Sequence, residues 1–204
     1  LGERYGLTVT SQAAGGTSYA TGNARVVAAT DAVGGNAPSV KAQIDSFLAA
    51  GSFASNDLVV ISAGAGDLIG EVAANGFTAT SRANIVQAGR DLAGQVRRLV
   101  QSGARYVIVT GTYNLGRSPW AAATGQSAVL EDYSTAFNNA LLVNIVDLGA
   151  NVLYVDLPLY FNQLTGYPST YGLNNVTSLA CTSVDTGVGI GTGTGQVNSA
   201  LCNS

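Results

Sequence analysis

Residues 58–70 read LVVISAGAGDLIG: a β-branched apolar run, a turn of small residues carrying one carboxylate, and the start of an amphipathic pattern. Short apolar runs of this kind are typical of strands buried on both faces of a parallel sheet. Two more follow at similar spacing, RYVIVT (105–110) and NVLYVD (151–156). Helical periodicity fills the gaps. Residues 81–102 carry Ile85, Leu92, Val96 and Leu99 on one face, with Ser81 as the start and Gly103 as the stop; residues 127–148 carry Val129, Tyr133, Phe137, Leu141, Ile145 and Leu148. A shorter helix over 38–50 begins near Pro38 and ends before Gly51. Alternating strands and helices with right-handed crossovers predict a parallel sheet covered by helices on both faces. A further short strand is expected near 7–11.

Composition excludes several functional classes. The 204 residues suit one domain with a substantial core, 47% of them apolar and 10% charged. The net charge is −3 and Lys41 is the only lysine, so no basic stripe exists to neutralise a phosphate backbone, and nucleic acid is not an expected partner. No apolar stretch reaches the roughly 20 residues of a membrane-crossing helix. Cys181 and Cys202 lie in a Gly/Ser/Thr-rich segment, 177–204, whose core is TGVGIGTGTG (186–195). Two cysteines without a histidine make a poor metal site, whereas a disulfide between them would close that loop, stabilise by about 3 kcal/mol and imply an oxidising compartment. No metal and no cofactor is expected. The chain contains no histidine at all.

In parallel α/β sheets the chemistry gathers in loops at the carboxyl ends of the strands. Three such loops are AGAGDLIG, GTYNLGRSP and DLPLYF. Gly64, Gly66 and Gly70 are spaced one residue too long for a dinucleotide fingerprint, and Asp67 would face the pyrophosphate. The glycines permit a tight turn, and Asp67 is placed to cap the helix that follows. Asp156, before Leu157-Pro158, is likewise placed as a helix N-cap. Asn175-Val176-Thr177 forms a glycosylation sequon, without other signs of a eukaryotic secretory protein.

One more segment, GGTSYATGNARV (15–26), completes a pattern. It resembles the second sequence block of the SGNH (GDSL) hydrolases, in the bacterial secreted lipase and esterase branch that often writes it G-G-T-N-Y-A-x-G-G-A-R. SAGAGDLI resembles the third block, G-x-N-D, and VDLPLYFNQLTGYPSTYGLNNVTSLAC resembles the stretch before the fourth. The three blocks occur in the family's order and span nearly the whole chain.

The resemblance implies a flavodoxin-like three-layer α/β sandwich and hydrolysis of small-molecule or lipid esters through a serine acyl-enzyme. It implies a secreted, periplasmic or cell-surface location. The serine N–H, a block-two glycine N–H and the block-three asparagine would hold the oxyanion. Gly22 matches that glycine, Gly66 stands at the asparagine position, and Asp67 matches the neighbouring aspartate. The loops at 64–70 and 112–119 would wall the acyl pocket, with Tyr113, Leu115 and Trp120 as its lining. The Gly-Asp-Ser nucleophile motif and the Asp-x-x-His element are not in this sequence. Residues 1–204 therefore read as the core of such a domain, with LGERYGL as the end of a first helix and a complementary segment supplying serine and histidine. A catalytically inactive SGNH-like domain that binds a ligand or partner through the same cleft is the alternative, and a passenger domain at the cell surface is a third reading.

Overall fold

The computed structural model describes residues 2–178. Three parallel strands, β1 (Leu58–Ser62), β2 (Tyr106–Thr110) and β3 (Val152–Val155), pair in the order β1-β2-β3. The register places Val60 beside Ile108 and Ile108 beside Leu153. All three strands fall where the apolar runs predict them. The helices are α1 (Val40–Ala50), α2 (Ala65–Asn75), α3 (Ala79–Gln101), α4 (Pro119–Thr124), α5 (Ser127–Val143) and α6 (Leu157–Gly166).

The core lies on one face of the sheet. Ile61, Val107 and Val109 point into it, together with Leu92 and Val96 of α3 and Phe137 and Leu141 of α5. The two long helices approach closely because α3 has a glycine at the crossing: a Cβ on Gly89 would overlap the Phe137 carbonyl oxygen. Tyr133 locks the pair by donating its hydroxyl to the Thr78 carbonyl at 2.7 Å.

The opposite face is the more open one among the described residues: Val60 is 57% and Leu153 60% exposed, Leu58, Tyr106 and Val155 beside them are exposed too, and Ile108 of the central strand is half-buried. Strand alternation puts these side chains on one surface. The strands carry sequences suited to two covered faces, and the described residues cover one more fully than the other.

Three local expectations change. Residues 7–11 form no strand. The Thr10 and Ser11 carbonyls are taken by Ser18 N–H and Gly16 N–H in a tight turn through Gly15, at φ +78°, leaving an isolated bridge between Ser11 and Ser18. Helix α3 starts earlier than Ser81, because Thr78 is its cap and accepts the Ser81 N–H at 3.1 Å; the Ser81 hydroxyl turns inward to donate to the Gly76 carbonyl. Helix α5 stops at Val143 rather than 148, where Asn144 and Ile145 switch to tighter bonds with Leu141 and Leu142 and a separate 3-10 turn follows. No helix among the described residues is long and apolar enough to cross a membrane.

Candidate active site

At the carboxyl ends of β1 and β2 the chain encloses a cleft of about 320 Å³. The loop 20–24, the β1–α2 turn from Ser62 to Gly66 and the β2 exit Gly111-Thr112-Tyr113 meet there, and Val40 and Gln43 of α1 and Leu157 of α6 line it too.

The β1–α2 turn is sharp because Gly64 adopts φ +121°, and a side chain there would collide with the Phe137 ring at 2.6 Å. Helix α2 begins at once, with no side chain capping it. Its first backbone N–H groups, at Ala65 and Gly66, have no carbonyl one turn earlier to bond, as at any helix start. Both residues line the cleft, so these donors and the positive end of the helix dipole belong to it.

Asp67 does not cap α2. It is 3% exposed, and both carboxylate oxygens accept the Val26 N–H at 3.1 Å, 41 residues away in sequence. Arg25 stands beside it, Nε to Oδ1 3.7 Å, and reaches towards Glu71 at 3.9 Å. Burial pushes the Asp67 carboxyl up to about 6, against the Val26 N–H and the Arg25 charge, which both favour the ionised form. Asp67 is thus a clip that ties the loop carrying Gly22 to the helix carrying Gly66. Glu71, also buried, takes the side-chain amides of Asn75 and Asn84.

The β2 exit is held in the same manner. Asn138 of α5 accepts the Thr112 N–H at 3.0 Å and donates to the Thr112 carbonyl at 2.8 Å. Its Oδ1 fills the space of any side chain at Gly111. Tyr113 follows, lining the cleft with its ring against Phe161 at a centroid distance of 4.9 Å; burial pushes its phenol above the ordinary value.

The other candidate residues separate. Gly22 lines the cleft with open space beside its Cα, so its backbone is accessible. Gly66 lines it too, but a Cβ there would meet the Ala24 carbonyl oxygen at 2.5 Å and the Asn23 carbonyl oxygen at 3.1 Å. Leu115 is 2% exposed in the core, where the Ser134 hydroxyl takes its N–H, and it does not line the cleft. Trp120 packs against the same core and is also absent from the lining, because the 3-10 turn at Leu115–Arg117 carries the chain away from the sheet end. Asp156 caps α6 as expected, accepting the Leu159 N–H at 3.0 Å. Cys181 and Cys202 lie outside the described residues. Among the described residues no group of acidic, cysteine or histidine side chains is arranged to hold a metal ion. Asn23 and Asn138 escape the sequence reading. Asn138 sits inside a helical pattern without any local sign of its role, and Asn23 stands where the resembling block carries a glycine.

The fold and the cleft together define an α/β domain with glycine-built loops at the ends of β1 and β2. The profile of the GDSL-like Lipase/Acylhydrolase family matches residues 2–187, and the chain belongs to that family. It is also similar to an "Uncharacterized protein in trpE-trpG intergenic region" of Pseudomonas putida, 32% identical over 93 residues. That match covers 46% of this chain and 16% of the relative.

Proposed function

We propose that residues 1–204 form the acyl-binding part of a carboxylic-ester hydrolase whose nucleophilic serine and general-base histidine lie in polypeptide outside this sequence. The observation that carries this reading is the convergence of Gly22 and Gly66 with the uncapped start of α2 in one cleft. In the reaction, the serine oxygen bonds to the ester carbonyl carbon while histidine takes the hydroxyl proton. The carbonyl electron pair moves onto oxygen, where the backbone N–H groups at Gly22 and the start of α2 stabilise it. Collapse breaks the bond to the alcohol, which leaves with the proton from histidine. Water, deprotonated by the same histidine, then releases the acid and restores serine.

The uncovered sheet face supports the same reading. Leu58, Val60, Tyr106, Leu153 and Val155 form an apolar surface that a complementary segment of the protein would bury. A bond between Cys181 and Cys202 would accompany export to an oxidising compartment, bacterial periplasm or beyond.

Hydrolysis of p-nitrophenyl butyrate by the protein as its organism produces it tests the proposal. Turnover with a pre-steady-state burst of nitrophenol supports an acyl-enzyme. Gly66 favours one other reading, an inactive domain of the same fold that binds ester or partner in the cleft. Saturable butyrate binding without turnover would select it.

A further inference from the structure

The cleft holds few hydrogen-bonding side chains, and most are already engaged. Gln43 gives its amide to the Pro38 carbonyl, the Thr112 hydroxyl bonds the Tyr113 carbonyl, and the Ser62 hydroxyl accepts from Thr110. Thr21 makes a long contact with the Tyr19 carbonyl at 3.5 Å. Asn23 lines the cleft, and its side chain makes no hydrogen bond to any described residue, although it carries two donors and an acceptor. The Tyr113 hydroxyl makes no hydrogen bond to a described residue either, the Gln43 side-chain oxygen is left to accept, and the Ser62 hydroxyl keeps its own proton to give.

The backbone singles out Asn23. Its φ of +62° makes it the one non-glycine residue in the left-handed region among the described residues. Asparagine is one of the few side chains that tolerates this conformation, and residues held there cluster at functional sites. That conformation has a local consequence at the facing helix. The Asn23 and Ala24 carbonyl oxygens lie where a side chain at position 66 would begin, at 3.1 and 2.5 Å from its Cβ. A glycine at 66 and the loop at 23–24 are therefore one arrangement: the loop occupies the space that an asparagine at 66 would need. An amide carried by that same loop is the replacement closest to hand.

We infer that the Asn23 side-chain amide is the hydrogen-bond donor that the cleft offers to the carbonyl oxygen of a bound acyl group, in place of one at position 66. This rests on the ester-hydrolase reading of the cleft. It makes Asn23 a substrate-contacting residue whose donor adds to the backbone N–H groups of Gly22 and the start of α2. An oxygen that gains negative charge strengthens such a bond, so the donor favours the tetrahedral state over the planar ester.

The test is a titration of the ¹⁵N-labelled chain with butyrate, whose carboxylate probes the donors without requiring turnover. The Asn23 Nδ2 resonances are expected to shift saturably together with the Gly22 and Gly66 backbone amides. Asn23→Gly, which suits the left-handed backbone and keeps the fold, is expected to weaken binding about tenfold, as loss of a bond to a charged group does. Asn23→Asp, similar in shape but without the donor at neutral pH, is expected to weaken it further. Two results would overturn the inference while leaving the cleft intact: backbone shifts with a silent Asn23 amide, or binding that Asn23→Gly preserves and Tyr113→Phe abolishes. Absence of any shift in the three segments would overturn it together with the proposed function.

Discussion

Gly66 and Ala24 touch: a Cβ on the glycine would lie 2.5 Å from the Ala24 carbonyl oxygen. The absence of an asparagine at 66 is thus a packing relationship between the block-two loop and the first turn of α2, with consequences for any attempt to restore the side chain. Backbone oxygen cannot give way as a flexible side chain can, so the loop as a whole must move. Gly66→Asn is expected to destabilise the chain by about 1–3 kcal/mol, as overpacking does. It should not strengthen butyrate binding. Urea denaturation and a butyrate titration of the same variant check both halves.

Asp67 gives a pH dependence of definite sign. Its carboxyl is raised to about 6 in the folded chain, above the ordinary aspartate value near 3.9 when unfolded. The native state therefore holds this proton more tightly than the unfolded state. Its stabilising effect is full below about pH 4 and is lost as pH rises through 6. Asp67→Asn removes the titration while keeping an oxygen for the Val26 N–H. The stability of the wild type relative to this variant should fall by about 2 kcal/mol between pH 4 and 7. Urea melts at both pH values measure the difference. A flat difference would mean that the carboxyl titrates as it does in water.

The Asn138 clamp should matter for the shape of the cleft more than for its chemistry. Asn138→Ala strips partners from two buried backbone groups of Thr112 and leaves a space beside Gly111. A cost of about 2–4 kcal/mol is expected. Faster amide exchange should be confined to residues 111–113 and their neighbours. Exchange rising uniformly across β1 and β2 instead would show that Asn138 supports the core and not the loop.

What the sequence discloses depends on the range of each interaction. The strands at 58–62, 106–110 and 152–155 are legible because burial writes itself into consecutive residues. The Asp156 cap is legible for the same reason, its partner Leu159 being three residues away. Asp67 is misread as a cap because its partner, Val26, lies 41 residues away in a loop with no periodicity. Asn138 is silent because its partner Thr112 lies 26 residues away, at the exit of β2. Leu115 looks like lining by its position after a strand, yet the turn that follows buries it. Gly22, Gly66 and Tyr113, singled out by motif and place, line one cleft, while the contacts that arrange them appear only in three dimensions.

The uncovered sheet face makes a prediction that separates the chain from the whole protein. Val60→Lys should change the stability of residues 1–204 by less than about 0.5 kcal/mol, since the site is exposed. If, as proposed, a complementary segment covers the face in the protein as produced, the same change should cost several kcal/mol there through a buried unpaired charge. Equal small effects in both would remove the case for a covering segment.

The most direct test of the central claim is to treat the protein, as its organism produces it, with a fluorophosphonate probe and locate the label by peptide mass. The account expects one phosphonylated serine outside residues 1–204, with labelling slowed by butyrate in the cleft. A protein that takes no label while remaining folded would contradict it, and the cleft would then belong to a binding domain.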